Sequence, residues 1–545
     1  MLVKSLQALG AAKCFGVPGE SYLDVLDALH DTKGALDFVL CRNEGGAAFM
    51  AEAFGKLTGL PGICMVTRGP GAANASIGVH TAMQNSSPMI LFVGQISADQ
   101  RDREVFQEID YRAFFGSVAK WVVEIDHADR IPELLSRAWS TALSGRPGPV
   151  VVALPENMLT TLTESGPCRA INVPLPCASS ENVKQIIELI EAANKPLMII
   201  GGGVWTTEAR IAIQQFAQQN NLPVSVAFRF HDLIDHHSEC FVGEAGVAMA
   251  PSLQQVITDA DLIFAVGIRF GEMTTKAHTL FDVPYLNATL IHVHASDREL
   301  GKVYAADLAV HASPNTLAEQ LRHIELVGNW RQWQQQCRQA YLDGFDVPAQ
   351  PGEVDMVAIT KHLRTRLPDD VIITNGAGNF ATWASRFLQY GPRQRLLAPQ
   401  SGAMGYGVPA AIAAKVVMPQ RTVVCFAGDG DFQMNCQELG TAMQAQAQPV
   451  ILILNNSSYG TIRMHQERHY PTRVSGTQLH NPNFVALAQA YGFHAERVEK
   501  TDEFEAAFEC ALASDTGAVL ELMIATDAIT PTQTLTQITK NALAL

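Results

Sequence analysis

The chain has 545 residues, 47% hydrophobic and 17% charged, which excludes a disordered protein and exceeds one core, so about three domains are expected. Its net charge of −15 excludes nucleic acid as a partner, because phosphates would be repelled, but leaves a small acidic substrate open. Ten cysteines without a Cys-x-x-Cys pair indicate neither zinc nor a disulfide framework; with no signal pattern and no membrane-spanning apolar run, the expectation is a cytoplasmic protein off the membrane.

Apolar residues at Leu2, Val3, Leu6 and Leu9 have helical spacing. The segment Phe15 to Glu20 breaks that helix, and Tyr22 to Leu29 resumes one. Phe38 to Cys41 reads as a strand, followed by Arg42-Asn43-Glu44-Gly45-Gly46 and a helix burying Ala47, Met50, Ala51, Phe54 and Leu57. Ile63 to Thr67 is the next strand, capped by Gly69-Pro70-Gly71; helix 72–84 and strand Met89 to Val93 follow. Residues 161–182, rich in Pro, Ser and Thr, read as a linker. A middle domain over 183–335 has strands at Leu197 to Ile200, Val224 to Ala227, Leu262 to Val266 and Leu290 to Val293. Its turn Gly201-Gly202-Gly203 lies where a dinucleotide would bind, yet Thr206 stands where the third glycine of Gly-x-Gly-x-x-Gly belongs. A second linker, including Pro348 to Gly352, leads to the third domain.

The most informative stretch is 421–460. Thr422 to Phe426 reads as a strand buried on both faces, then Gly428-Asp429-Gly430 as a tight turn whose glycines also let the backbone approach a ligand closely. Phe432 to Gln446 reads as a helix, and Val450 to Leu454 as a second strand ending in Asn455-Asn456. Neighbouring parallel strands would present Asp429 and Asn456 at one edge, where open α/β sheets bind ligands. A carboxylate and a carboxamide are oxygen donors suited to Mg²⁺, which takes few protein ligands plus phosphates. Taken singly, each segment also reads as an ordinary turn or strand end. The order of elements repeats: Gly69-Pro70-Gly71 precedes Pro88 as Gly428-Asp429-Gly430 precedes Pro449. This points to two copies of one α/β unit, over 1–160 and 350–530, sharing a ligand. The fold class is therefore α/β, with three doubly wound parallel-sheet domains.

Gly-Asp-Gly, then residues 431–454, then Asn-Asn resembles the diphosphate motif of thiamine diphosphate (ThDP) enzymes, and nearly the whole chain resembles acetolactate synthase large subunits. The resemblance implies Mg²⁺ held by Asp429, Asn456 and the Ser458 carbonyl. It implies a catalytic role for Glu44, whose segment is also readable as an exposed helix N-terminus. The family's glutamate hydrogen-bonds the cofactor's pyrimidine ring so that a ring nitrogen removes the C2 proton; the cofactor supplies the electron sink. A carboxylate in an apolar surround resists ionising, which suits that role. Pro18, Gly19, Thr67, Pro70, Asn74 and the catalytic candidate Gln107 would line the pyrimidine and substrate side. Gly378, Asn379, Phe380, Gly402, Gly428, Gly430, Asp431, Tyr459 and Gly460 would meet the cofactor from the third domain. Met404 matches the apolar residue wedged under the bent cofactor, and reads equally as core filling. Glu44 of one subunit would work with Asp429 of another, so a homodimer or homotetramer is implied.

Three departures concern the substrate and flavin. After the strand placed at Gly145 to Val150, Leu154-Pro155-Glu156 puts acid where the family has a lysine. His465 replaces the family's specificity tryptophan. The FAD-contacting Met-His-Gly appears as Gly243-Glu244-Ala245-Gly246, which leaves FAD open. Arg269 matches the arginine receiving the acceptor oxoacid, and reads also as a structural ion-pair partner. His236-His237 lies in the middle domain, away from where pyruvate decarboxylase carries its pair. The expected activity is a ThDP- and Mg²⁺-dependent 2-oxoacid decarboxylating carboligase, with Gln107, Arg269 and His465 as substrate contacts. The alternatives are a decarboxylase or C–C hydrolase on the same cofactor, and an inactive nucleotide-binding regulatory protein.

Overall fold

The computed structural model describes residues 1–32 and 34–544. Three six-stranded sheets account for the architecture. The first holds β1 (Lys13–Gly16), β2 (Asp37–Leu40), β3 (Gly62–Val66), β4 (Met89–Gln95), β5 (Trp121–Glu124) and β6 (Pro149–Pro155). The second holds β7 (Pro196–Ile200), β8 (Val224–Ala227), β9 (Phe241–Ala245), β10 (Leu262–Val266), β11 (Thr289–His294) and β12 (Leu308–His311). The third holds β13 (Ile372–Asn375), β14 (Arg395–Leu397), β15 (Val423–Gly428), β16 (Val450–Asn455), β17 (His494–Val498) and β18 (Ala518–Met523). Neighbouring strands pair in parallel, for example Gly428 with Leu454 across β15 and β16. Central strands such as β4, β15 and β16 are buried at every residue, which explains their unbroken apolar sequence.

The first sheet runs β2-β1-β3-β4-β6-β5 and the third β14-β13-β15-β16-β18-β17, the same order counted within each unit. The middle sheet, β12-β11-β10-β7-β8-β9, has the dinucleotide-fold order read from its other edge. The winding first reverses at β1/β3 in the first sheet and at β13/β15 in the third, and the middle sheet reverses once, at β7/β10. The segments leaving these pairs are Val17-Pro18-Gly19 with Thr67 to Pro70, Gly201 to Gly203 with Gly267 to Arg269, and Gly376 to Phe380 with Asp429 to Asp431.

Two expectations change. The strand expected over Gly145 to Val150 begins at Pro149, because Gly145 takes a left-handed φ of 59° and turns the chain first. The single helix expected from Phe432 to Gln446 is three pieces: Asp429–Gln433, a 3-10 turn at Cys436–Glu438, and Leu439–Gln444. It breaks where Asn435 Nδ2 donates to the Gly405 carbonyl (2.8 Å).

The first and third units share one apolar core, in which helix Glu44–Thr58 packs on helix Gly407–Val417. Inside it, the fully buried Glu52 accepts hydrogen bonds from Asn85 Nδ2 (2.7 Å), Ser87 Oγ (2.6 Å) and Tyr406 Oη (2.5 Å). Among the described residues no helix is long and apolar enough to cross a membrane. Glu52→Ala strands three buried donors, so it is expected to destabilise the chain by about 3 kcal/mol, seen as an earlier thermal unfolding transition.

Candidate active site

At the β13/β15 reversal the third unit opens a cavity of about 250 Å³. Gly378, Asn379, Phe380, Gly402, Met404, Gly428, Asp429, Gly430, Asp431, Asn456, Ser458, Tyr459 and Gly460 all line it. The glycines serve close approach rather than a turn, which corrects the expectation: neither Gly428 nor Gly430 has a positive φ. A Cβ on Gly428 would lie 2.9 Å from the Phe380 ring, and one on Gly430 would lie 2.5 Å from Tyr459 Cε1.

Asp429 is the first residue of its short helix and is 2% exposed. Its Oδ1 accepts the Gly430 amide (3.0 Å) and its Oδ2 accepts Asn481 Nδ2 (2.7 Å). Burial raises its pKa, against the pull of these donors and of the Ser458 amide. Asn481 also donates to Asn455 Oδ1 (2.9 Å), so one side chain ties the ends of β15 and β16 together. Asn456 Oδ1 accepts the Ser458 amide (3.1 Å), folding the chain back so that Asp429, Asn456 and Ser458 line the same cavity. Asp431 Oδ1 accepts the amides of Gly405 (2.8 Å) and Ala377 (3.2 Å), while its buried Oδ2 has no hydrogen bond among the described residues. Burial pushes the Asp431 carboxyl up to about 7. Asn379 is fixed by Thr461, whose Oγ1 accepts the Asn379 amide (2.9 Å) and donates to Asn379 Oδ1 (3.0 Å).

The first-unit residues gather at the matching edge of their own sheet. Asn43 caps helix Glu44–Thr58 by accepting the Gly45 amide (2.8 Å), which leaves Glu44 as its first residue. Asn74 Nδ2, from helix Pro70–Asn85, donates to Glu44 Oε2 (2.9 Å). Gly19 lies against Thr67, where a Cβ would come within 2.4 Å of the threonine Cβ. Thr67 Oγ1 and Ser21 Oγ share a hydrogen bond of 3.0 Å. Gln107, at a left-handed φ of 67°, packs over Gly69 beside Pro70. Glu44 is half-buried within one chain, not enclosed by apolar groups as expected, because it faces outward at its helix N-terminus.

Among the described residues no first-unit residue lines the third-unit cavity, so the chain holds two separate candidate half-sites. Arg269 lies outside both: half-buried at the junction of three units, it donates to the Gln84 carbonyl and to Gln400 Oε1 (3.0 Å), and desolvation lowers its pKa to about 10. His465 is exposed on helix Gly460–His469, stacked on His469. Sequence reasoning missed Asn481 and Thr461. Only the proximity of Thr461 to Tyr459-Gly460 could have indicated the latter.

Residues 1–114 match the family described as Thiamine pyrophosphate enzyme, N-terminal TPP binding domain; residues 183–321 match its central domain and residues 376–522 its C-terminal TPP binding domain. The chain is 31% identical to the acetolactate synthase isozyme 2 large subunit of Escherichia coli (strain K12), over 96% of this chain and 94% of that protein. It is also 31% identical to the isozyme 3 large subunit of the same organism, over 94% and 91%, and to the acetolactate synthase large subunit of Parasynechococcus marenigrum (strain WH8102), over 96% and 86%. Asn481→Ala removes a donor from a buried carboxylate and is expected to destabilise the chain by about 1–3 kcal/mol, measured by denaturant titration.

Proposed function

The chain belongs to the thiamine pyrophosphate enzyme family, alongside acetolactate synthase large subunits, and from that premise we propose a ThDP- and Mg²⁺-dependent enzyme that decarboxylates a 2-oxoacid and joins the product to a second carbonyl compound. The observation that carries the residue assignment is the oxygen trio Asp429, Asn456 and Ser458 around one cavity at a winding reversal. One carboxylate, one carboxamide and one main-chain carbonyl fit a hard cation that completes its shell with phosphate oxygens. Among the described residues no three His, Cys, Asp or Glu side chains form a metal-ligand group, so a zinc-type site is not what these donors build.

When bound, ThDP supplies the electron sink for decarboxylation and carbon–carbon bond formation. The chain's residues do the rest. Asp429, Asn456 and the Ser458 carbonyl hold the cation and with it the diphosphate. Met404 and Phe380 add apolar side chains to the cavity lining. Glu44, oriented by Asn74, would share a proton with the pyrimidine ring, and Gln107, packed over Gly69, would lie on the substrate side. Because the two half-sites are apart within one chain, we assign each complete site to two subunits of a homodimer, with the tetramer as its doubled form. Ten unpaired thiols support a reducing cytoplasm as its location.

The middle unit does not fit FAD. Trp205 Nε1 donates to the carbonyls of Gly201 (3.2 Å) and Gly202 (3.1 Å), covering the glycine turn. Thr206 Oγ1 caps the next helix at the Ala209 amide (3.1 Å), where a phosphate would otherwise bind. Glu244, in the segment that resembles the flavin contact, is a buried acid accepting the Arg229 amide (3.2 Å) and facing His231 (3.4 Å). The purified protein is accordingly expected to lack the flavin's visible absorption band, and added FAD is expected not to raise its melting temperature.

Glu44→Gln should keep ThDP binding and lose most turnover; full activity in this variant would end the assignment. Mixing Glu44→Gln chains with Asp429→Asn chains, each inactive alone, should restore about one quarter of wild-type activity, because random twofold pairing makes half the dimers mixed with one intact site each. No recovery after verified subunit exchange would place the site within one chain. Since burial raises the Asp429 pKa and the cation needs the ionised form, Mg²⁺ affinity should weaken with falling pH, beginning at a higher pH than for an ordinary aspartate. Calorimetric titration across pH checks this.

A further inference from the structure

Glu438 is a buried acid that the reaction scheme above leaves without a task. It belongs to the third unit, is fully buried, and does not line the cavity. Two of its partners lie in the first unit, 395 and 396 residues away in sequence. Oε1 accepts the amides of Asn43 (2.9 Å) and Arg42 (3.2 Å), and Oε2 shares the Arg42 amide (3.2 Å) and accepts Thr441 Oγ1 (2.6 Å). These amides belong to the two residues immediately before Glu44. The Arg42 side chain returns the contact, with Nη2 donating to the Gly440 carbonyl (3.0 Å) and Gln444 Oε1 (2.9 Å). The carboxylate also lies at the N-termini of helices Glu44–Thr58 and Leu439–Gln444, where negative charge is favoured.

Gly46 makes an independent case. A Cβ there would stand 2.7 Å from Glu438 Oε1 and 2.9 Å from its Cγ and Cδ. Its φ is not left-handed, so glycine is required for space alone. The bare helix surface at position 46 is a seat for the glutamate.

We propose that Glu438 is the positioning residue for Glu44: it clamps the Arg42–Asn43 backbone and so fixes where the catalytic carboxylate meets the cofactor. The proposal rests on the assignment of Glu44 above. It touches neither cofactor nor substrate and acts only through the backbone. A misplacement of about 1 Å in such a group costs roughly a hundredfold in rate.

The conservative variant separates charge from geometry. In Glu438→Gln the amide oxygen can keep Oε1's place under both backbone amides. Its NH₂ then gives up the Arg42 amide that Oε2 shares, leaving that amide to the oxygen alone, and faces Thr441 Oγ1, which can accept because its own hydroxyl donates to the Leu40 carbonyl (3.2 Å). Glu438→Ala leaves both amides without an acceptor, and Gly46→Ala displaces the carboxylate while retaining it.

The test uses full-length protein. Hydrogen–deuterium exchange of the cofactor-free chain should show faster exchange at the Arg42–Asn43 peptide in Glu438→Ala and Gly46→Ala, but not in Glu438→Gln. In protein loaded with ThDP and Mg²⁺, C2–H exchange of the bound cofactor should slow roughly ten- to a hundredfold in the same two variants, with ThDP affinity held within about twofold. Wild-type C2 exchange in Glu438→Ala or Gly46→Ala, or a loss that follows ThDP affinity alone, overturns the proposal. Should Glu438→Ala fail to fold, Gly46→Ala against Glu438→Gln decides. Glu44→Gln run alongside keeps the two assignments apart. If it too exchanges C2 at the wild-type rate, the Glu44 assignment fails. If it abolishes exchange while the Glu438 and Gly46 variants do not, only the positioning role fails.

Discussion

Parallel pairing is the constraint on which the site depends. Every strand of a parallel sheet ends at the same edge, so residues that follow two adjacent strands become neighbours whatever their sequence separation. In the third unit the register sets Gly428 opposite Leu454, and Asp429 and Asn456 emerge just beyond. Both strands are buried on both faces, so their apolar content fixes where each one stops and the polar edge begins. The first unit applies the same rule with different side chains. Its reversal at β1/β3 collects Gly19, Thr67 and Pro70, and a helix N-terminus there brings Glu44.

This rule also explains what could be read from the sequence. The third-unit site was legible because its residues follow unbroken apolar runs, so the pattern located both the strands and their ends. The same cue found β3, β4, β15, β16 and the interior strands of the middle sheet to within about two residues, but it placed β6 too early and missed the interior strands β1, β13 and β18. Most peripheral strands carried no such signal either. β14 has only three residues, and β17 alternates apolar with His494, Glu496 and Arg497, as an exposed edge strand does. Asn481 was illegible for another reason: it sits in a loop without periodicity, and its value comes from standing between two strand ends that only the folded sheet brings together. Glu438 looked like the polar face of a helix, and became a buried acceptor only because the first unit presents two amides to it. Of the two roles expected of the glycines of Gly-Asp-Gly, a sharp turn and a close approach, only smallness is seen. They are small where Phe380 and Tyr459 crowd in, not left-handed.

The middle unit shows how little a fold specifies by itself. Its strand order is the dinucleotide order, and its glycine turn lies at the reversal. Yet Trp205, Thr206 and Asn315 take up the polar groups of that turn, Asn315 Oδ1 accepting the Thr206 amide (3.0 Å). At the neighbouring junction Arg146 pairs with Glu299 (2.9 Å) and Arg269 reaches into the other two units. These arginines hold the units together and leave their hydrogen-bonding capacity spent on the protein.

The separation of the half-sites bears on why assembly and catalysis are linked in the proposed dimer. Within one chain, the apolar packing of helix Glu44–Thr58 on helix Gly407–Val417 is what orients the two units, and it holds the Glu44 group away from the chain's own cavity. Each half-site keeps exposed apolar groups at its rim: Phe106 and Ile77 near the Glu44 group, and Ile462 at the cavity. Such side chains, beside a half-buried carboxylate, are what a twofold contact would cover, since an isologous interface meets both halves at once and makes two complete sites. Covering them would also remove water from around Glu44, giving the apolar surround that a proton-sharing carboxylate requires and that the single chain lacks. The buried Glu438 clamp then has a second consequence. In the proposed dimer it would tie the placement of a chain's glutamate to that chain's own third unit.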